Sequence, residues 1–262
     1  MTGFSPVSVL ASLRIMPMGD SITEWDCRLD AYTDANDAPV APGTAGAFVV
    51  APNGYRGYLG GMLADAGVSF DFVGSRHDRC GSNHEGWGGR TIEFLGGVAA
   101  DAVSRHRPDS VLFMAGTNDF YFPPPVGVGT NVTEALRRLG VLLDAVYTAS
   151  PSLTFLMSTV TKINATRCVG YPRAPWHPAP CPATMPGAID AYNAALPSFV
   201  SAHRNRERRI RLHDVNAAAM WEPSDYWIWG IHFNASGFKK MAAAWFEALQ
   251  AERRSPTTVI LN

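Results

Sequence analysis

Five short apolar runs alternate along the chain with longer stretches that have the spacing of helices. The runs cover residues 13–18, 68–73, 109–115, 153–159 and 209–215, and each has the length of a buried strand. The helical stretches cover residues 55–66, 91–106, 131–149, 187–202 and 235–251. Strands that alternate with helices build a parallel sheet covered on both faces. The 262 residues are therefore predicted to form one α/β domain, a three-layer α/β/α sandwich around a five-stranded parallel sheet.

Three stretches interrupt this alternation and are predicted to be loops. Residues 25–54 are rich in Ala, Pro, Gly and Asp, residues 74–89 are rich in Gly and His, and residues 162–186 hold six prolines. So many prolines exclude a helix or a central strand from the third stretch. Because long loops in a compact domain are usually functional or mobile, we expect residues 25–54 and 162–186 to frame or cover a site.

The charge balance and the hydropathy limit the classes of partner. The chain has 22 Lys and Arg against 23 Asp and Glu, a net charge of −1, which gives no reason to expect nucleic acid or an anionic membrane as a partner. No apolar run reaches the roughly 18 residues of a membrane-spanning helix. Residues 1–13 lack a basic region and a clear cleavage site, so they do not form an intact signal peptide. We expect a monomer.

The cysteine pattern bears on the compartment. Cys27, Cys80, Cys168 and Cys181 all lie in predicted loops, and four cysteines allow three pairings. Cys27–Cys80 with Cys168–Cys181 is favoured, because the second pair brackets the proline-rich loop. Four free thiols in a cytosolic protein are the alternative. Glycosylation sequons at Asn131, Asn164 and Asn234 agree with secretion, so a secreted, disulfide-bonded glycoprotein is expected.

Polar residues follow three of the predicted strands at their carboxyl ends, where ligands bind in an open parallel sheet. Ser21 follows the first strand, the glycines of residues 86–89 follow the second, and Asn118 follows the third. His232 precedes the last helix. This set predicts nucleophilic catalysis: Ser21 attacks, and His232 takes the proton. The backbone N–H of Ser21, a glycine N–H and the Asn118 amide are the candidate donors to an oxyanion.

The same blocks, in this order, resemble the SGNH (GDSL) hydrolase family. Further stretches, MPMGDSITE (16–24), YRGY (55–58), FDFVGS (70–75) and HEGWGGRTI (84–92), resemble the branch that includes secreted microbial acetyl xylan esterases of the carbohydrate esterase family 3 type. The resemblance implies a flavodoxin-like fold and acyl transfer to water through an acyl-serine, without a metal or other cofactor. It also implies that Gly89 is the oxyanion glycine, since Gly89 lies just ahead of Arg90-Thr-Ile92.

The chain departs from the family at the residue that orients the histidine. The family usually has Asp three residues before the histidine, where this chain has Trp229. The backbone carbonyl of Trp229 could accept the Nδ1–H of His232 and give a Ser-His dyad. Alternatively, Asp225 could reach in from seven residues upstream. Another carboxylate such as Asp214, a water molecule or an impaired enzyme are the remaining possibilities.

Several residues near the nucleophile and the histidine are candidates for supporting the site or contacting substrate. Asp20 is expected to anchor nearby backbone rather than act as a catalytic acid, and it is also a candidate for the substrate side. His84 is expected to pack near the site. Trp25, Trp87 and Trp227 could line a sugar ring or an acyl chain, or could be ordinary core residues.

The predicted function is a secreted, single-domain serine esterase that acts on small acyl groups, acetyl by resemblance, on a carbohydrate. A lipid or aryl esterase on the same site is the first alternative, favoured by the many Trp residues and the long loops. A catalytically silent glycan- or lipid-binding protein of the same fold is the second, and Trp229 at the acid position motivates it.

Overall fold

A computed structural model describes residues 12–25, 53–78, 81–168, 180–205, 207–226 and 230–254, together with the backbone of three two-residue strands between residues 31 and 50. The strands are β1 (Leu13–Gly19), β2 (Tyr32–Thr33), β3 (Pro39–Val40), β4 (Phe48–Val49), β5 (Phe70–Phe72), β6 (Arg76–His77), β7 (Asn83–Gly86), β8 (Ser110–Met114), β9 (Thr154–Ser158) and β10 (Arg209–His213). The helices are α1 (Ser21–Glu24), α2 (Tyr55–Asp65), α3 (Ile92–His106), α4 (Thr117–Tyr121), α5 (Val132–Ala149), α6 (Met185–His203), α7 (Val215–Ala219) and α8 (Ala235–Arg254), with a 3-10 turn over Pro223–Asp225.

The central sheet confirms the predicted α/β fold. Its order is β10-β9-β8-β1-β7-β6, and β5 also pairs with β1. The five predicted strands are present as β1, β5, β8, β9 and β10, and the pairings among them are parallel. The small strands β2, β3 and β4 form a separate antiparallel sheet.

The prediction of an uninterrupted loop over residues 74–89 is wrong, because β6 and β7 lie within it and the sheet has seven strands instead of five. Strand β5 pairs with only the first half of β1, from Leu13 to Ile15. The second half of β1 stays open on that side and pairs with β7, with Gly19 opposite Gly86. The Asn-His-Glu-Gly sequence of β7 has no apolar alternation that would have indicated a strand.

The change of partner from β5 to β7 also accounts for a proline inside a central strand. Ile15 O accepts from Val73 N at 2.8 Å, and Gly19 O accepts from Trp87 N at 2.9 Å. Alternate residues of a strand turn their backbone polar groups to the same side. Pro17 therefore faces the gap between β5 and β7, where its missing N–H costs no ladder hydrogen bond.

The helices cover both faces of the sheet. On one face α3, α5 and α6 pack against Met16, Met18 and Phe113, and on the other α2 and α8 pack against Ile15 and Leu112. This alternation along β1 and β8 is the period of a strand that is buried on both faces. The five long helices follow the predicted stretches to within a few residues at each end. None of the described helices is long and apolar enough to cross a membrane.

A disulfide joins Cys168 and Cys181, with 5.4 Å between their Cα atoms, and this confirms one of the two predicted pairs. The other predicted pair, Cys27–Cys80, lies outside the described residues.

Candidate active site

Ser21 lies directly after the end of β1, as the first residue of the four-residue helix α1. Asp20 begins this helix by accepting a hydrogen bond from Ile22 N at 3.0 Å. Gly19 has to be a glycine, because a Cβ there would collide with Met114 O and lie 2.6 Å from Thr23 Oγ1. The serine thus lies just past the carboxyl end of the central strand β1, next to the end of β8.

His232 faces Ser21 across a hydrogen bond. Ser21 Oγ and His232 Nε2 are 2.7 Å apart, although 211 residues separate them in sequence. Both residues were predicted to form this pair, and the distance is that of a nucleophile and its general base. The ring of Trp25 lies 5.3 Å from the imidazole, centroid to centroid, and borders the pair on one side.

The chain before His232 is anchored to the segment that ends at Cys168. Asn164 N donates to Gly230 O at 2.8 Å, and Arg167 Nη1 donates to Tyr226 O at 3.1 Å. Gly230 has a φ of +70°, and a Cβ on it would collide with Asn164 O. These contacts hold both ends of the stretch that leads to the histidine.

The register of the sheet brings the other two predicted blocks beside Ser21. Gly19 of β1 lies opposite Gly86 of β7 on one side and opposite Met114 of β8 on the other. The residues that follow these two strands therefore flank the serine. Asn118 is nearly buried, and its Nδ2 donates to Arg90 O at 3.0 Å. An amide has two N–H groups, so this bond uses one donor and leaves the second for another acceptor.

The two glycines after Trp87 differ in their surroundings. Gly88 N donates to Glu24 Oε2 at 2.8 Å, whereas Gly89 is exposed and has a φ of +70°. That left-handed conformation strains any residue with a side chain, so Gly89 is conformationally required. Gly89, the predicted oxyanion glycine, thus lies in the turn that follows β7, next to Gly88.

Two buried carboxyl groups, next to Ser21 and Asn118 in the chain, accept hydrogen bonds from backbone N–H groups. Asp20 is only 1% exposed, and burial raises its pKa to about 7 despite the Ile22 N–H and the Thr117 side chain, which lower it. Asp119 accepts from Ile92 N at 2.9 Å, and burial raises its pKa to about 6. Asp20 therefore anchors the backbone of α1, as expected, and its predicted contact with substrate stays a prediction.

His84 is buried in β7 and packs near the site, as expected. Its pKa is lowered to about 3, mainly by burial and in addition by the neighbouring charges of Arg56 and Arg76. The neutral imidazole accepts from Gly86 N at 3.0 Å through Nδ1. It thus helps to shape the strand end that precedes the Gly88–Gly89 turn.

Arg56 is a supporting residue that the sequence analysis did not single out. It is 1% exposed, and its guanidinium donates to the carbonyls of Thr23 (2.9 Å), Glu24 (3.2 Å) and Trp25 (3.0 Å). It also pairs with buried Asp78 at 2.7 Å. Helix α1 is too short to hold itself, so this clamp fixes its end. Arg56 is the one basic residue of the mostly apolar helix α2, and this was the available signal.

Asp225, one candidate for the third catalytic member, has partners on both carboxylate oxygens. Oδ1 accepts from Ser236 Oγ at 2.7 Å, and Oδ2 accepts from Glu222 N at 2.8 Å and Lys240 Nζ at 2.7 Å. Burial raises the pKa of Asp225, but these hydrogen bonds outweigh it and hold the pKa below its usual value. Asp214, another candidate, caps α7 through Asn216 N and Ala217 N.

The tryptophans are distributed around the site. Trp25 also contacts Phe238 of α8, at 5.3 Å between ring centroids. Trp87 lies beneath Arg76, whose guanidinium is 4.5 Å from the ring centroid, and its Nε1 donates to Glu85. Trp227 and Trp229 lie outside the described residues, so their predicted roles stay predictions. Within the described ranges, no group of three or more His, Cys, Asp or Glu side chains is arranged to hold a metal ion.

Comparison with known proteins decides the family. The model of the GDSL-like lipase/acylhydrolase family matches residues 18–240, which include every block of the site. The chain belongs to this family. The family resemblance seen in the motifs is thereby confirmed. The GDSL-like domain is also similar to a multidomain esterase from Ruminococcus flavefaciens, with 24% identity over 93% of this chain. The chain spans only 29% of the length of that relative.

Solved structures share the fold of this GDSL-like chain. A family 3 carbohydrate esterase from Clostridium thermocellum matches with a TM-score of 0.65 and 24% identity, over 93% of this chain and 98% of that one. A family 3 carbohydrate esterase from Talaromyces cellulolyticus matches with a TM-score of 0.66 and 22% identity, over 92% and 97%. Axe2, an acetylxylan esterase from Geobacillus stearothermophilus, matches with a TM-score of 0.57 and 17% identity, over 90% of this chain and 93% of that one.

Proposed function

We propose that this GDSL-family chain is a carboxylic ester hydrolase that removes small acyl groups, acetyl above all, from carbohydrate esters. The distance of 2.7 Å between Ser21 Oγ and His232 Nε2 carries the proposal, because a serine hydroxyl becomes an effective nucleophile only beside a base.

The reaction proceeds in two halves. Ser21 Oγ attacks the ester carbonyl carbon while His232 Nε2 takes the hydroxyl proton, and the carbonyl oxygen becomes an oxyanion. The intermediate expels the alcohol, which receives the proton from His232, and an acyl-Ser21 remains. Water then attacks the acyl carbon, His232 takes its proton and returns it to Ser21 Oγ, and the carboxylic acid leaves.

The oxyanion is proposed to lie between the Ser21 N–H, the Gly89 N–H and the second N–H of Asn118. The strand register supports this arrangement, since β7 and β8 end on either side of Ser21. The bond from Gly88 N to Glu24 also favours Gly89 over Gly88, because the Gly88 N–H already has an acceptor. Preorganised donors of this kind stabilise the charge that develops in the transition state.

A backbone carbonyl is proposed to orient His232. Asp225 is the weaker candidate, because Ser236, Glu222 N and Lys240 already bind its two oxygens. The carbonyl of Trp229 remains the preferred acceptor, as the sequence position predicts. A neutral carbonyl stabilises an imidazolium less than a carboxylate does, so the dyad should be slower than a full triad.

The choice of substrate rests on the similar proteins. Two of the similar structures are family 3 carbohydrate esterases and a third is an acetylxylan esterase. Secretion as a single-domain monomer is part of the proposal, and the Cys168–Cys181 disulfide supports an oxidising compartment.

The proposal is tested by hydrolysis of p-nitrophenyl acetate, butyrate and octanoate, with acetylated xylan as the polymer. Ser21→Ala should lower kcat/KM by about three orders of magnitude or more, and Asn118→Ala by about two. Undiminished hydrolysis by Ser21→Ala would contradict the mechanism. Activity that rises steadily with acyl chain length would favour a lipid esterase, and glycan binding without any hydrolysis would favour a silent binding protein.

The orientation of His232 has a separate test. Asp225→Asn should leave the turnover number within about tenfold of wild type, because the residue holds the start of α8 and not the imidazole. A loss of several orders of magnitude in a folded variant would make Asp225 the third member and exclude the carbonyl.

A further inference from the structure

Glu24 is a half-buried acidic residue, with 32% of its side chain exposed, three positions after the nucleophile. Its Oε2 accepts from Gly88 N at 2.8 Å, and its Oε1 pairs with Arg76 Nη2 at 2.5 Å. The guanidinium of Arg76 in turn lies over the ring of Trp87 at 4.5 Å. The Glu24 carboxylate therefore links α1 directly to Gly88 and, through Arg76, to Trp87.

The contact between Glu24 and Gly88 leaves no room for a side chain. A Cβ added at Gly88 would collide with Glu24 Oε2 and would lie 3.8 Å from Ser21 Cβ. Gly86 is equally close to α1, since a Cβ there would lie 2.7 Å from Thr23 C. The end of β7 and the 87–89 turn thus pack directly against α1, and the Glu24 carboxylate accepts the hydrogen bond that joins the turn to α1.

We propose that Glu24 is a positioning residue for the oxyanion site: it holds the 87–89 turn against α1 and so sets the distance between the Gly89 N–H and Ser21. This inference rests on the proposed esterase function. An anionic side chain beside a developing oxyanion would oppose catalysis if it stood alone. The ion pair with Arg76 balances the charge of Glu24, so the hydrogen bond to Gly88 is kept without the electrostatic penalty.

The expected effect is on the chemical step and not on ground-state binding. An oxyanion donor contacts its acceptor fully only in the transition state, so a displaced turn lowers kcat and leaves KM nearly unchanged. A residue that only supported the fold would instead lower the yield of folded protein or change both constants.

The experiment measures kcat and KM of wild type, Glu24→Ala and Glu24→Gln over a range of p-nitrophenyl acetate concentrations that reaches saturation. Glu24→Ala removes the acceptor and should lower kcat by roughly 30- to 100-fold, with KM within about twofold. Glu24→Gln keeps an oxygen for Gly88 N and should stay within about fivefold of wild type. Asp144→Ala, which removes an ion pair with Arg208 elsewhere on the surface, is the control and should leave kcat unchanged.

Three results would overturn the proposal: an unchanged kcat in Glu24→Ala, a loss in Glu24→Gln as large as in Glu24→Ala, or a rise in KM at constant kcat. If Glu24→Ala does not fold, Glu24→Asp takes its place, because the flexible side chain of Arg76 can follow a shorter carboxylate, whereas the backbone N–H of Gly88 cannot. Ser21→Ala is measured alongside. An active wild type with an inactive Ser21→Ala and an unchanged Glu24→Ala would refute only the role of Glu24, whereas an inactive wild type would end both proposals.

Discussion

Asp20 combines an ionisable carboxyl with nearly complete burial, immediately before the nucleophile. Its carboxyl caps α1 through Ile22 N, and its side chain is 1% exposed. The pKa of Asp20 is raised to about 7, mainly by burial and in addition by the nearby Asp119. The folded chain therefore binds a proton at Asp20 over a pH range in which the unfolded chain has lost it.

The pH dependence of stability follows from this pKa with a definite sign. The ordinary pKa of Asp is 3.8, so the folded state binds more protons than the unfolded state between about pH 4 and 7. The stabilising effect of protonated Asp20 is complete below pH 4 and is lost as the pH rises through 7. Asp20→Asn does not titrate, and its amide oxygen can still cap α1. The difference in the free energy of unfolding, Asp20→Asn minus wild type, should therefore grow from about pH 4 to about pH 7.

Urea unfolding of both proteins at intervals from pH 4 to 8 measures this difference. Its total change should not exceed roughly 4 kcal/mol, from about 1.4 kcal/mol per pKa unit, and it should be constant above pH 8. A difference between the two proteins that does not vary with pH would show that Asp20 does not titrate in this range.

At the scale of elements, helix α1 depends on its neighbours. Four residues are far too few for a stable helix in isolation. The backbone of α1 is held by the Arg56 guanidinium at its carboxyl end, and it packs on Gly86. The geometry of the nucleophile is thus a property of the surrounding strands and of α2, and not of the local sequence.

Gly86 should therefore tolerate no side chain, in contrast to Gly97 of α3. A Cβ at position 86 would collide with the backbone of residues 23 and 24, which belong to the helix that begins with Ser21. We expect Gly86→Ala to lower the free energy of unfolding by about 2 kcal/mol and to lower kcat, because overpacking against backbone forces α1 to move.

Gly97→Ala is the matched control for this prediction. Gly97 lies in α3, and nothing lies within 4 Å of a Cβ built on it. Alanine is the better helix former, so Gly97→Ala should raise the free energy of unfolding by about 1 kcal/mol without changing kcat. Thermal and urea unfolding decide both cases, and a neutral Gly86→Ala would contradict the packing argument.

At the scale of the whole molecule, the segment that leads into the Cys168–Cys181 disulfide contacts the chain around His232. The Cys168–Cys181 bond joins residues 13 positions apart, and the residues just before Cys168 contact the chain around His232 through Asn164 and Arg167. The long loop therefore bears on catalysis through the position of His232, in addition to any contact that it makes with substrate.

Removal of this disulfide should affect both stability and activity. Cys168→Ala/Cys181→Ala frees a short loop in the unfolded chain, which costs about 3 kcal/mol in the chain-entropy description. The kcat should fall because the Asn164–Gly230 contact loses its support. A melting temperature equal to that of wild type under non-reducing conditions would contradict this prediction, and dithiothreitol should lower the melting temperature of wild type more than that of the variant.

Much of the fold and the central pair could be predicted from the sequence. Apolar runs and helical spacing indicated the five parallel strands and the long helices, because a strand buried on both faces is a continuous apolar run and a covering helix is apolar on one face. The motifs indicated Ser21, His232 and Asn118, since the chemistry demands these residue types in this order. Strand β7 was missed, because its polar sequence forms a strand only where β5 leaves β1 open.

The sequence by itself determined the fold class, the family and the pairing of Ser21 with His232, because these depend on the burial pattern of strands and helices and on a small set of obligatory side chains. Only the tertiary structure decided how the site is held. Arg56 and Glu24 act through backbone groups of distant segments, and Asp225 is engaged by Lys240 and Ser236. The contact between Glu24 and Gly88, for example, joins residues 64 positions apart and depends on the register of β1 and β7, which no local pattern encodes.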